Sequence, residues 1–194
     1  MIPTGLAIAA YLILTGEWRM AGLWFFLLSI CIGLVAGSKI AHLGWGYGVS
    51  VLNYNALSGH AASSAVITPV CLLFLSQSRS SAVQKYAVLG GYAAAAILGI
   101  LLVLFNEHTV SEVIGGFLIG ACSSLFFIWR FNAASSAKVQ PWLLPISLMF
   151  FLSIWYWLRP PINTWMVQAA MHVSVIGTIE GLPYTVAEEL NTRW

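Results

Sequence analysis

Two short polar segments carry the residues with chemical potential. They are Ser58–Gly59–His60 and Asn106–Glu107–His108–Thr109–Val110–Ser111–Glu112, in a chain that is 60% hydrophobic and 7% charged. A histidine backed by a carboxylate is equipped for phosphoryl transfer without a metal. The carboxylate holds one ring nitrogen, fixes the tautomer and leaves the other nitrogen free to attack phosphorus. A second imidazole can protonate the departing oxygen. A lysine, a hydroxyl and loop amides can neutralise and orient the phosphate oxygens. His108 and Glu112 are four residues apart, so a helix beginning there would place them on one face. His60 is the second imidazole, and Lys39 and Ser58 are the upstream cation and hydroxyl. Each segment also has a plain structural reading. Ser58 can simply cap a helix, His108 and Glu112 can be a helix-start pair, and Lys39 can be a snorkelling anchor at a membrane edge.

These segments must be positioned by membrane helices. The chain has 194 residues and a mean hydropathy of +0.88, and long apolar runs place it in the integral membrane class. The runs are Pro3–Thr15, Ala21–Gly37, Ala61–Leu75, Tyr86–Phe105, Val113–Phe131 and Pro141–Leu158. The expected architecture is an all-α integral membrane bundle of about six transmembrane helices in residues 1–161. An interfacial or extramembrane tail would follow in 162–194. The first run is short against the roughly 20 residues of a full span. Gly116 and Gly120 form a small-xxx-small pair suited to close helix packing. The aromatic residues at the run ends, among them Trp18, Trp24, Trp45, Tyr156 and Trp165, fit an interfacial belt. Cys31, Cys71 and Cys122 sit inside apolar runs at no metal-ligand spacing and read as small hydrophobes.

Composition also excludes functions. Eight basic residues, scattered along the chain, leave no nucleic-acid footprint. All six acidic residues are Glu, which removes Asp-based metal and phosphate chemistry. The connectors after runs one, three and five hold Arg19, Arg79, Lys85, Arg130 and Lys138, against Lys39, Arg159 and Arg193 on the other side. That bias favours the first set as cytoplasmic and places the His60 and His108 segments outside. Independently of charge, two spans separate those segments, so both face the same side.

Ser58–Gly59–His60 and His108–Thr109–Val110–Ser111–Glu112 resemble the second and third motifs of the type 2 phosphatidic acid phosphatase superfamily, related to bacterial acid phosphatases and vanadium haloperoxidases. Lys39, nineteen residues before Ser58, stands where the first motif has its lysine. The resemblance covers about residues 37–120 and fits a membrane-bound bacterial member in the plasma membrane with its site on the extracytoplasmic face. It implies His108 as nucleophile, His60 as general acid, Glu112 as orienting carboxylate, and Lys39, Ser58 and Gly59 as phosphate binders. It implies a lipid phosphate or pyrophosphate substrate and no metal or other cofactor. The first and third motifs are degenerate. Gly46–Tyr47 stand where the family has Arg-Pro, Leu101–Leu102 where it has Ser-Arg, and Glu112 where it has Asp. Arg159 is the candidate substitute cation. The alternative is a catalytically silent member that binds lipid or a partner protein as a scaffold or accessory subunit.

Overall fold

The computed structural model describes residues 2–46, 55–134, 143–158, 165 and 167–169. Among these residues all regular structure is helical. The six helices are α1 (Ile2–Leu14), α2 (Trp18–Trp45), α3 (Gly59–Leu75), α4 (Ser81–Leu104), α5 (Val110–Ala134) and α6 (Leu143–Leu158). Each of the six apolar runs therefore becomes a helix, and the bundle is all-α as expected. Helices α2, α4 and the 110–132 part of α5 are long and apolar enough to cross a membrane. Helix α1, with 13 residues, reaches only about 20 Å against a hydrocarbon core of about 30 Å. The tail expectation for 162–194 falls outside the described residues, apart from helical residues at 165 and 167–169. There Val167 packs against Leu43 near the end of α2.

The outer surface is apolar as lipid requires. Leu89, Ile97, Ile100 and Leu104 of α4, and Ile114, Leu118 and Leu125 of α5, are all exposed. The interior is a set of fully buried side chains led by Trp24, Tyr11, Phe74 and Phe127. Trp24 meets Phe127 edge-on at 5.0 Å between ring centroids. Its indole N–H donates to the Gly5 carbonyl at 2.8 Å, which gives the ring its polar partner inside the core. Trp24 is thus a core residue and not part of an interfacial belt. Its place seven residues into α2 turns it inward, whereas Trp18, Trp45, Tyr156 and Trp165 are exposed.

Helices α3, α4 and α5 interlock, and they carry the two polar segments. Pro69 lies inside α3, so it cannot bond the Ala65 carbonyl four residues back. The Ser124 hydroxyl of α5 takes that carbonyl at 2.9 Å, and the Tyr92 hydroxyl of α4 sits 2.8 Å from Ser124 Oγ. A neighbouring helix thereby satisfies a backbone group that lipid could not. Gly91 makes room for the proline, because a Cβ there would lie 2.5 Å from Pro69 Cα. Gly116 and Gly120 bring α5 onto α3 as the small-xxx-small pair suggests. A Cβ at Gly116 would lie 2.5 Å from the Ser58 carbonyl oxygen, and one at Gly120 would overlap the Ala62 carbonyl oxygen.

The connection from α4 to α5 is short and capped. After α4, Glu107 N–H bonds Leu102 O at 3.0 Å and Asn106 N–H bonds Val103 O at 3.0 Å. These are the two bonds of a Schellman ending, which needs a left-handed residue. Asn106 supplies it with φ 56°, a conformation that asparagine tolerates better than most side chains. The carbonyl of Leu102 also receives the His108 N–H at 3.3 Å. This ending turns the chain abruptly from α4 into the His108 segment.

Candidate active site

The C-terminal ends of α2 and α4 and the N-terminal ends of α3 and α5 meet at one end of the bundle. The imidazoles of His60 and His108 face each other there, with ring centroids 6.5 Å apart and planes tilted by 51°. His108 Nδ1 lies 2.9 Å from Glu112 Oε2. The same-side expectation and the His108–Glu112 pairing are both met. The route to the pairing differs from the expected one. Helix α5 begins at Val110, so His108 precedes it and the pair is not a helical one-turn pair.

A capping box brings the two together. Thr109 is the residue before the helix, and its Oγ1 accepts the Glu112 N–H at 3.4 Å. In return Glu112 Oε2 accepts the Thr109 N–H at 3.3 Å. This reciprocal arrangement satisfies two unpaired donors of the helix start. It folds the Glu112 side chain back toward the preceding residue, where the His108 ring waits. The Thr-x-x-Glu pattern was a visible signal for it.

The other oxygen of Glu112 reaches across the site. Oε1 accepts Asn55 N–H at 3.1 Å and Ala56 N–H at 3.4 Å, while Ser58 N–H donates to the Glu112 carbonyl at 3.1 Å. One buried carboxylate therefore ties the loop before α3 to the start of α5. Three main-chain N–H groups can only donate, so the carboxylate is the acceptor throughout. The His108 contact then requires Nδ1–H as donor, which leaves the lone pair on Nε2. No sequence signal marked Asn55 or Ala56, because their contribution is main-chain N–H that every non-proline residue owns.

Ser58 is fully buried and caps α3, its Oγ accepting the Ala61 N–H at 3.3 Å. Its hydroxyl holds the first turn of α3, which presents Gly59 and His60. Gly59 packs closely on α2, where an added Cβ would meet Val35 Cγ1 at 3.3 Å. The His60 ring is exposed. Lys39 lies within α2 and not in a loop, because the helix runs on to Trp45 and ends at Gly46 with φ 67°. The adjacent Ser38 is a site-building residue that the sequence did not mark. Its Oγ accepts the Leu57 N–H at 3.0 Å and donates to the Val35 carbonyl at 2.8 Å, fastening the Ser58 loop to the end of α2. Arg159 lies outside the described residues. The described arginines, Arg19, Arg79 and Arg130, belong to the opposite end of the bundle by the order of the helices.

A cavity of about 520 Å³ adjoins His108, walled by Asn55, Val103 and the 106–112 segment. His60, Lys39, Ser58 and Gly59 are not in its wall, and neither is Leu102.

A relative is known. A Klebsiella pneumoniae protein described as an uncharacterized 22.5 kDa protein in cps region is 38% identical over 129 residues, covering 66% of this chain and 62% of that protein. The matched segment thus spans about three fifths of the relative's length. No family model matches the chain, and no solved structure matches it.

Glu112 is the residue whose loss would separate orientation from folding. Glu112→Ala removes four accepted bonds from a buried carboxylate. It is expected to lower stability by about 3 kcal/mol, since hydrogen bonds to charged groups are worth roughly 1.5–3 kcal/mol each and partly re-form with water. Glu112→Gln keeps the shape but only one oxygen, and so two of the four accepted bonds; it should cost less than Glu112→Ala, about 2 kcal/mol. Thermal unfolding of both variants in detergent checks the order. Equal stability of Glu112→Ala and the parent would contradict the proposed clamp.

Proposed function

We propose that this chain is an integral-membrane phosphatase or phosphotransferase that acts on a lipid phosphate or pyrophosphate head group through a phosphohistidine. The reading rests on one observation, the Glu112-held imidazole of His108 facing the imidazole of His60 at one end of an apolar bundle. His108 Nε2 attacks phosphorus and forms a P–N bond. The P–O bond to the leaving group breaks, and protonated His60 gives that oxygen its proton. His60, now neutral, takes a proton from water or an acceptor hydroxyl, whose oxygen attacks phosphorus and breaks the P–N bond. Glu112 holds the imidazole's orientation and offsets the positive charge that develops on it. The Gly59 region and Lys39, at the same end of the bundle, are the groups to meet the phosphate oxygens, and Arg159 is the further cation by its place after α6. The lipid tail stays in the bilayer. The membrane is bacterial in this reading, in keeping with the Klebsiella relative, and charge bias puts the site on the extracytoplasmic face.

A second reading has its own support. Leu101 and Leu102 occupy the positions of the family's Ser-Arg, and the described arginines lie at the far end of the bundle. A lysine does not reproduce the two-pronged grip of a guanidinium on phosphate. The alternative is a silent member that binds lipid or a partner protein as an accessory subunit. Phosphate release by the purified chain separates the two. The hydrolase releases phosphate from at least one of phosphatidic acid, phosphatidylglycerol phosphate or a prenyl pyrophosphate, and the silent member releases none.

A further inference from the structure

The cavity beside His108 has more space and a different chemistry than phosphoryl transfer needs. Asn55 and Asn106 line it together with His108, whereas His60, Lys39 and Ser58 do not. Its volume of about 520 Å³ falls within the range of pockets that hold a small molecule, roughly 300–1,000 Å³. A phosphate alone would leave most of it empty.

The wall decides what fits. Asn55, Asn106, Thr109 and Ser111 bring amide and hydroxyl groups, and Glu107 adds an exposed carboxylate. The wall has two glutamates and no lysine or arginine, so it repels a second phosphate. A hydrocarbon tail would strip water from the amides and hydroxyls and return no hydrogen bond, which is costly. An amine would find Glu112 already saturated by four donors. It would be left with Glu107, a water-exposed carboxylate that holds a cation only weakly. The side chains of Asn106 and Glu107 make no hydrogen bond to another described residue. Asparagine amide and carboxylate together both give and take hydrogen bonds, which matches hydroxyls that do the same. Building on the lipid phosphatase reading, we infer that this cavity is a subsite for an uncharged polyhydroxylated unit, a sugar or glycerol residue, that carries or adjoins the phosphate of the substrate.

The test is a binding titration that needs no turnover. Tryptophan fluorescence of the full chain in detergent would follow the addition of three dihexanoyl lipids, phosphatidylglycerol, phosphatidic acid and phosphatidylethanolamine. The glycerol head group should bind about tenfold tighter than phosphatidic acid, the gain from one or two hydrogen bonds. Asn106→Gly keeps the left-handed backbone while removing the amide, and should erase most of that preference. Glu107→Gln keeps the hydrogen bonds, removes the charge, and should retain it. Equal affinity for phosphatidylglycerol and phosphatidic acid overturns the inference. So does tighter binding of the ethanolamine lipid that Glu107→Gln abolishes. The wild-type comparison decides alone if a variant fails to fold. A glycerol preference in a chain that releases phosphate from no lipid would uphold the subsite and overturn the hydrolase reading.

Discussion

His108→Ala should release no phosphate above that of protein-free lipid. In enzymes that act through a covalent intermediate, loss of the nucleophile costs about 10⁶-fold in turnover, and what remains comes from binding alone. His60 is the imidazole that faces His108; it is exposed, and its ring pairs with no carboxylate among the described residues. His60→Ala should therefore cost less, about 10²–10⁴-fold, the usual contribution of a positioned general acid. The fall should be larger for a leaving group that is a poor acid than for one that leaves easily, such as p-nitrophenolate. Initial rates of phosphate release for the two variants, beside circular dichroism to verify folding, give both numbers. Unchanged release from folded His108→Ala would remove the nucleophile from the account.

Gly120→Val should be the most disruptive change to the bundle. A Cβ at Gly120 overlaps the Ala62 carbonyl oxygen and lies 2.9 Å from Ala65 Cβ. The carbonyl belongs to α3 backbone, which cannot swing aside as a side chain would. Overpacking of this kind costs about 3 kcal/mol or more. Spreading α5 from α3 would also break the Ser124 bond to the Ala65 carbonyl and pull the His108 segment from the Ser58 loop. Loss of activity should therefore accompany loss of stability. Gly33→Ala is the matched control, because nothing lies within 4 Å of a Cβ there. Thermal unfolding of the two variants in detergent, with gel filtration, checks the contrast. A Gly120→Val protein as stable as Gly33→Ala would mean that α3 and α5 do not pack as closely as described.

Much of this fold was legible because lipid imposes simple rules. Six apolar runs became six helices, and Gly116 with Gly120 marked the α3–α5 contact. The order of the runs alone put His60 and His108 at the same end. What escaped was set by partners in space. Trp24 sits at a run end in the sequence, yet α1 packs over it and accepts its N–H through Gly5. Lys39 looked like the start of a loop, but α2 continues until Gly46 supplies a left-handed residue. Pro69 inside α3 leaves the Ala65 carbonyl without its helical donor, and the hydroxyl of Ser124, fifty-five residues after the proline, donates to it.

The candidate site was half legible for a similar reason. Side chains advertise themselves, so His60, His108 and Glu112 stood out. Main-chain donors do not, and Asn55 and Ala56 hold the carboxylate through N–H groups alone. The helix-start contact of Glu112 and its contact with His108 are also compatible. One carboxylate closes the capping box with Thr109 and contacts His108 through the same oxygen.

The central claim is that His108 becomes phosphorylated. The direct measurement is a rapid acid-free quench of the chain during turnover of a ³²P-labelled lipid phosphate, followed by peptide mapping. An acid-labile, base-stable phosphate is expected on the peptide that contains His108, absent from His108→Ala and accumulating in His60→Ala with substrates whose leaving group departs unaided. Phosphate release without label on His108, or label on another residue, would contradict it.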